Sequence, residues 1–224
     1  MNRRKPNGTE RRTTLCDTAI QLLADEGAKG LSHPKVDQRA GLPAGSTSFY
    51  FRTRTALLLA TAQRVCELDL ADLSAVLHPR REVSTDEGPP DISPLAALIV
   101  LSAQEPRLSR TKARIELILQ ANRDPSLAEV FRESVEMFAD VQRDIVIRSQ
   151  PDRDLDPMVI NEQASATQNF VSGVFMRLVA GQRAFDDGEH LDRILSAIIN
   201  GIAAAYQDRS SRNERISPTH RSRG

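Results

Sequence analysis

The sequence predicts an all-α protein with two helical domains, and three observations support this prediction. Ala, Leu, Arg, Glu and Gln are abundant while β-branched runs are short, a composition that favours helix. Apolar residues recur at steps of three and four along much of the chain. With 224 residues, of which 40% are hydrophobic, the chain can bury a core in one large or two small domains. We expect an N-terminal domain over residues 1–54, a larger domain over 55–208 and a disordered basic tail over 209–224.

The first predicted helix follows a basic segment, residues 1–8, which we expect to be a disordered arm that could reach a minor groove or lie near phosphates. The helix should begin after Thr9, a good N-cap, and end at Gly27. Arg11 and Arg12 fall in its first turn, where the helix dipole opposes a positive charge. A nearby phosphate would offset that cost.

Two short helices separated by a four-residue break follow. Ser32 as N-cap and Pro34 in the first turn favour a helix over 33–40, and Gly41 favours its end because glycine readily takes the left-handed conformation. The second helix is expected over 44–51, with small side chains in its first turn that let the backbone lie deep in a groove about 12 Å wide. This arrangement is a helix-turn-helix, a unit that binds DNA.

The segment resembles the helix-turn-helix of TetR-type bacterial transcription regulators. That family reads Ala-Gly-Val-x-x-x-Thr-Leu-Tyr-x-His-Phe-x-x-Lys, and this chain has Ala-Gly-Leu at 40–42, Ser-Thr-Ser-Phe-Tyr-Phe at 46–51 and Arg54. The family's Tyr falls on Ser48 and its His on Tyr50, so the surface that reads bases is smaller here. The resemblance implies a three-helix DNA-binding domain followed by a helical domain for ligand binding and dimerisation.

The resemblance also implies which residues contact DNA. We expect phosphate contacts from His33, Lys35, Ser46, Tyr50 and Arg54. We expect base contacts from Ala44, Gly45, Thr47 and Ser48. His33 would direct an N–H at a phosphate, with a solvated side chain as the alternative. Phe49 and Phe51 could instead form the small core of the domain, and Arg52 and Arg54 could be solvated residues at the start of the next helix.

A long helix should link the two domains. Thr53 can cap a helix from Arg54 to about Leu77, and the prolines and glycine between 78 and 93 predict an exposed loop after it. Further helices are expected from Pro94 and over 107–122, 125–149, 156–181 and 189–206.

The last two predicted helices carry a heptad-like apolar seam. Its members are Ile160, Ala164, Thr167, Val171, Val174, Leu178, Leu191, Leu195, Ile198 and Ile202. Such a seam packs against a partner helix at a shallow crossing angle. We interpret it as the dimer interface of a helix hairpin that pairs with its copy in a second chain. The alternative is that this face packs inside the same subunit.

The net charge of zero hides an uneven distribution. Residues 1–60 hold ten Lys and Arg against five Asp and Glu, whereas residues 61–208 hold fifteen against twenty-four. A basic N-terminal domain on an acidic body suits a protein that meets phosphate at one end, although an uneven solvated surface would look the same.

No enzyme motif and no metal-ligand spacing occur around the four histidines, so we expect a protein without catalytic residues, metal or cofactor. Cys16 and Cys66 read as reduced thiols, and whether either has a redox role is left open. The chain lacks an apolar run of about 18 to 20 residues, which excludes a membrane span and favours the cytoplasm.

The combined interpretation is a homodimeric transcription regulator, in our reading a repressor, that binds a pseudo-palindromic operator in double-stranded DNA. A small apolar effector would bind the C-terminal domain and lower the affinity for the operator. Candidate polar anchors for the effector are Arg114, Glu116, Gln120 and Asn122, with surface or salt-bridge roles as the alternative. A non-enzymatic helical adaptor and a nonspecific DNA-binding protein are the competing classes.

Overall fold

The structure is a computed structural model that describes residues 8–77, 92–150 and 156–216. Those residues form helices and connecting turns, with no strand among them, which confirms the all-α prediction. The helices are α1 (Gly8–Gly30), α2 (His33–Arg39), α3 (Ser46–Tyr50), α4 (Arg54–Leu77), α5 (Pro94–Ser102), α6 (Arg107–Ala121), α7 (Pro125–Arg148), α8 (Pro157–Val179) and α9 (Gly188–Ile216).

The N-terminal core joins the first three helices to the rest of the chain. Leu15 and Leu23 of α1 and Val36 of α2 are fully buried together with Phe51, which confirms the expected core role of Phe51. Leu117 of α6 belongs to the same apolar cluster. The N-terminal helices therefore pack directly on α6.

Helix α1 breaks at Gly27, where the backbone takes the left-handed conformation with φ 67°. The amide of the next residue, Ala28, donates a hydrogen bond to Oε1 of Glu116 at 3.0 Å. The predicted helix end at Gly27 is thus the point at which α1 meets α6. Thr53 caps α4 as expected, because its Oγ1 accepts from the amide of Ala56 at 3.1 Å.

The second core contains half of the predicted dimer seam: Val171, Val174, Leu178, Leu191 and Leu195. Side chains from α5 and α7 cover it within the same chain, among them Leu95, Ile99 and Ile145. The buried seam residues are Ile160, Thr167, Val171, Val174, Leu191 and Leu195. Assigning these six to a contact with a second chain was wrong, because an apolar period identifies a covered face and not the helix that covers it. Ala164, Leu178, Ile198 and Ile202 are half-buried.

A buried amide network fixes α7, α8 and α9 relative to one another. Gln163 is fully buried, and its Nε2 donates to Oε1 of Gln150 at 3.0 Å and to the carbonyl of Ile199 at 2.9 Å. Nε2 of Gln150 donates in return to Oε1 of Gln163 at 3.1 Å. Such a network is costly to break, since the partners left behind have no water to replace it.

Helix α9 continues to Ile216. The expectation of disorder from Arg209 onward was therefore wrong for residues 209–216, while residues 217–224 lie outside the described residues. Residues 1–7 of the predicted arm over 1–8 and residues 78–91 of the predicted loop over 78–93 also lie outside them, whereas Gly8 begins α1. Within the described ranges, no helix is long and apolar enough to cross a membrane.

Candidate nucleic-acid interface and ligand cavity

The helix-turn-helix presents a short helix with little bulk. Helix α3 covers only Ser46–Tyr50, because Gly45 precedes it in the left-handed conformation with φ 90°. Ala44, Gly45 and Ser48 are exposed on its outer side. Phe49 is also exposed, at 75% of its surface, and its ring packs edge-on against Tyr50 with centroids 5.1 Å apart. Assigning Phe49 to the core was thus wrong, and its exposure adds an apolar side chain to the outer face.

Asp37 holds the turn and α3 in place. Its carboxylate is 4% exposed and accepts three hydrogen bonds: from the amide of Gly45 at 2.8 Å, from the amide of Thr47 at 2.7 Å and from Oγ1 of Thr47 at 2.5 Å. Burial by itself raises the pKa of Asp37, but the hydrogen bonds from Thr47 and Gly45 and the nearby His33 outweigh it and hold this pKa below 3.8. Asp37 is therefore a carboxylate at neutral pH.

Thr47 faces inward, in contrast to its predicted contact with base edges. Its side chain is fully buried and its hydroxyl is used by Asp37. The sequence analysis missed Asp37, although a carboxylate in the first short helix with a hydroxyl in the second was a signal for such a pair. Base contacts from this helix can come only from the side chains that remain exposed.

Three side chains, those of His33, Arg54 and Arg12, support the ends of these helices instead of standing free. Nε2 of His33 lies 2.7 Å from the carbonyl oxygen of Phe51 and donates to it. The guanidinium of Arg54 donates to the carbonyls of Leu31, at 3.3 Å, and of Ala28. The N–H of His33 that was expected at a phosphate is therefore used inside the domain, and Arg54 fixes the start of α4.

The third of these side chains, Arg12 of α1, donates to the carbonyl of Tyr50 at 3.0 Å and lies over the ring of Phe51, 4.6 Å from its centroid.

Among the other predicted phosphate ligands, Lys35 pairs with Glu26 at 2.5 Å and Ser46 donates to the carbonyl of Pro43 at 2.6 Å. Tyr50 is half-exposed at the end of α3. Lys35 and Ser46 are thus bonded to other groups of the same domain.

The larger domain encloses a cavity of ≈ 240 Å³ between α4, α5, α6, α7 and α8. Its apolar lining includes Leu73, Leu95, Leu98, Ile99, Ile118, Phe131, Phe138 and Phe175. The charged side chains among the described lining residues are Asp69, Asp72, Arg110 and Arg114. A mostly apolar cavity with a few polar groups on one side is typical of a small-molecule site.

These charges form a network between α4 and α6. Asp69 lies 2.7 Å from Nε of Arg110 and 2.6 Å from Nη1 of Arg114. Asp72 accepts from Nε of Arg107 at 2.8 Å and also pairs with Arg110. Burial raises the pKa of Asp72, but the hydrogen bonds from Arg107 and Arg110 outweigh it and lower that pKa below 3.8.

Of the four predicted effector anchors, Arg114 lines the cavity. Glu116, Gln120 and Asn122 are not among its lining residues, and Glu116 contacts α1 instead. Residues two positions apart lie about 200° apart around a helix, so Glu116 points away from the cavity and toward α1. The charged residues missed by the sequence analysis, above all Arg110 and Asp69, share a helical face or a salt bridge with Arg114.

Neither cysteine lies in a reactive environment. Burial raises the pKa of Cys16 to about 11, and it also raises the pKa of Cys66. Within the described part of the chain, no group of three or more His, Cys, Asp or Glu side chains could hold a metal ion.

Residues 92–201 match the family model described as "Tetracyclin repressor-like, C-terminal domain". This chain belongs to the TetR family by that domain and by its fold. The resemblance first seen in the helix-turn-helix is thereby confirmed from the other half of the chain. The family is one of DNA-binding transcriptional regulators, and membership supports the predicted function of a regulator that responds to a ligand.

Solved structures share the fold. A transcriptional regulator from Rhodococcus sp. RHA1 matches with a TM-score of 0.65 at 21% identity, covering 87% of this chain and 96% of the other. The multidrug binding protein EbrR complexed with ethidium matches with a TM-score of 0.56 at 24% sequence identity, and the match covers 84% of this chain and 98% of the other. A protein from Saccharomonospora viridis in complex with choline matches with a TM-score of 0.65 at 17% sequence identity, and the match covers 86% of this chain and 96% of the other. No curated protein matches the chain in sequence.

Proposed function

We propose that this TetR-type regulator is a homodimeric repressor that binds a pseudo-palindromic operator and leaves it when a small molecule fills the cavity between α4 and α8. The observation that carries the proposal is the position of α6. One side of α6 presents Arg114 to the cavity, and the other presents Glu116 to the amide of Ala28, 3.0 Å away at the break in α1. A ligand that shifts α6 would therefore shift the DNA-binding domain.

The same junction includes the start of α4. Arg54 donates to the carbonyl of Ala28, so α1, α4 and α6 meet at one residue. Helix α4 also carries Asp69 and Asp72 to the cavity wall. Ligand binding and DNA binding can thus be coupled through two helices that each touch both sites.

The DNA-facing surface in this proposal is the exposed side of α3 and the turn before it. Ala44, Gly45, Ser48 and Phe49 would face base edges, and Lys35 and Tyr50 would flank them near phosphates. Small side chains and one aromatic offer few hydrogen bonds to bases. Apolar contact with thymine methyl groups, together with DNA shape, would supply much of the specificity.

The dimer contact would use the outer faces of α8 and α9, which the buried seam leaves exposed. Met176 is 55% exposed on α8, and Ala197 and Ala204 are exposed on α9. Gly173 and Gly201 lie on the same outer faces, and a Cβ added at either would meet nothing within 4 Å. Small residues let two helix pairs approach closely across a two-fold axis.

The cavity supports a ligand-responsive regulator. Two of the similar structures hold small molecules, ethidium in EbrR and choline in the Saccharomonospora viridis protein. In this chain the corresponding domain has a cavity of ≈ 240 Å³ with an apolar lining and a charged side. A small effector in that volume would bind the two conformations of α6 with different affinity.

The test begins with selection of genomic fragments by the purified full-length protein, followed by fluorescence anisotropy on the selected sequence. A specific regulator should prefer that sequence over random DNA by about 10³-fold or more at physiological salt. Ser48→Ala should change which sequence is preferred, while Tyr50→Ala should weaken binding to all sequences alike. Equal affinity for every sequence with a steep salt dependence would favour a nonspecific DNA-binding protein, and no binding would favour an adaptor.

A further inference from the structure

We propose that the effector is a small amphipathic organic acid, whose carboxylate binds Arg110 and Arg114 while its apolar body packs on the phenylalanines of α7 and α8. This inference rests on the proposed function and specifies the chemistry of the molecule that the cavity admits. It follows from the arrangement of charges on the cavity wall, from the apolar lining opposite and from the volume.

The carboxylates of the wall already have cationic partners. Oδ1 and Oδ2 of Asp69 lie 2.7 Å and 2.6 Å from Arg110 and Arg114. Oδ2 and Oδ1 of Asp72 accept from Arg107 at 2.8 Å and 3.1 Å, and Arg110 adds a further bond to Oδ2. Each of the four carboxylate oxygens therefore already lies within 3.1 Å of a guanidinium nitrogen. A cationic ligand would have to compete with these guanidinium groups for Asp69 or Asp72.

The guanidinium groups, in contrast, have donors to spare. Three arginines face two carboxylates in this network, which leaves one net positive charge beside an apolar cavity. Nε of Arg110 is buried and makes no hydrogen bond within the described residues, although it lies 2.7 Å from Oδ1 of Asp69. The two atoms are close but poorly aligned. A group that is buried and unpaired in this way costs free energy, and an anionic acceptor would recover it.

Arg110 and Arg114 lie one helical turn apart on α6, so both can reach one carboxylate. Both line the cavity, and their side chains are mostly buried, at 12% and 23% exposed. Guanidinium groups suit a carboxylate because their planar N–H donors match its two oxygens. At these mostly buried side chains the pairing is stronger than at the protein surface.

The rest of the cavity suits an apolar body. Phe131 and Phe138 of α7 and Phe175 of α8 line it, and the guanidinium of Arg114 lies 5.2 Å from the centroid of the Phe175 ring. The acid group would thus bind beside an aromatic wall. The volume of ≈ 240 Å³ is below the range of about 300–1,000 Å³ typical of drug-sized sites, which favours a short-chain or single-ring acid.

Such an acid would also act on the coupling described above. Its carboxylate would compete with Asp69 of α4 for Arg110 and Arg114 of α6. Because α4 and α6 both contact the DNA-binding domain, weakening the bridge between them gives the ligand a way to change the position of that domain.

The test is isothermal titration calorimetry of the full-length protein, without DNA, against matched compounds at pH 7. The panel contains phenylacetate, 3-phenylpropionate, hexanoate and octanoate, each with its primary amide, and phenethyl trimethylammonium as the cationic counterpart. At least one acid should bind about tenfold or more tightly than its amide, the loss expected when a charge-assisted hydrogen bond is removed. Tighter binding of the ammonium compound, or binding by none of the acids, would overturn the proposal.

Two variants localise the binding. Arg114→Gln should weaken the acid about tenfold or more and leave its amide unchanged, whereas Arg123→Gln, an exposed change in the turn after the same helix, should alter neither. Equal loss for acid and amide would show that Arg114 only maintains the cavity. Operator binding is measured separately, because an acid that binds in the cavity without releasing DNA would refute the proposed function and leave the assignment of the ligand class intact.

Discussion

Replacing Asp37 by asparagine tests whether one buried carboxylate holds the DNA-binding helix in position. The substitution keeps the shape of the side chain but removes its charge and one of its acceptors. An amide oxygen can still accept from Thr47, but the amide nitrogen then faces the N–H of Gly45, and two donors are opposed. The turn before α3 loses the bond that keeps Gly45 in its left-handed conformation.

The expected cost follows from the geometry. Hydrogen bonds to a charged group contribute about 1.5 to 3 kcal/mol each, and here one is lost and the two from Thr47 become bonds to a neutral acceptor. We expect Asp37→Asn to lower the free energy of unfolding by about 2 to 4 kcal/mol. The affinity for the selected operator should fall about tenfold or more, because α3 no longer has a fixed orientation.

Urea denaturation followed by far-UV circular dichroism measures the stability, and fluorescence anisotropy on the selected operator measures the affinity. Thr47→Val is the matched control: it removes the buried hydroxyl but keeps both backbone donors, so it should cost only about 1 kcal/mol. The reasoning is refuted if Asp37→Asn is as stable as the wild type, or if it costs no more than Thr47→Val.

Four further outcomes are expected. The folded chain holds the pKa of Asp37 below its ordinary value of 3.8, so its contribution to stability is present above pH 3.8 and is lost as the pH falls through the lowered pKa. In urea titrations from pH 6 to pH 3, the free energy of unfolding should therefore fall less for Asp37→Asn than for the wild type. Gly201→Glu should yield a folded monomer by light scattering, while Gly201→Ala stays dimeric; a dimeric Glu variant would exclude this face of α9 from the interface. Gln163→Leu leaves Oε1 of Gln150 without its donor and removes the side-chain bond to the carbonyl of Ile199, and should lower the free energy of unfolding by about 2 to 4 kcal/mol in chemical denaturation. Cys16, with a pKa of about 11, should resist iodoacetamide at pH 8 in the native protein and react after denaturation, as read by mass spectrometry; rapid native labelling would contradict its burial.

The sequence was informative where a local signal decides the structure. Gly27 and Gly41 take the positive φ angles that end their helices, and Thr53 caps α4, because these depend on residues nearby in the chain. The heptad seam was correctly seen as a buried face. The helices that cover this face were not identified, because those that pack on Val171 and Leu195 lie far away in sequence and could equally have come from a second chain.

In the candidate sites, too, the sequence predicted features that depend on nearby residues and missed those that depend on distant ones. Exposure of Ala44 and Ser48 followed from small side chains in a short helix. The inward direction of Thr47 could not be predicted in this way, because it depends on a hydrogen bond to Asp37, ten residues earlier. Arg114, a candidate anchor in the sequence, lies on the cavity wall in a salt bridge with Asp69. Asp69 could be identified only once α4 and α6 were known to be neighbours, because the two residues are 45 positions apart in sequence.

The bond between Glu116 and Ala28 has a consequence for how such regulators can be recombined. Its donor is a main-chain N–H, which every residue except proline supplies whatever its side chain. The N-terminal domain can therefore change its amino acids, and with them the DNA it recognises, without removing this attachment point. A chimera that joins the N-terminal domain of a relative to residues 55–208 of this chain should still respond to the effector of this chain, provided that the graft preserves the backbone at position 28.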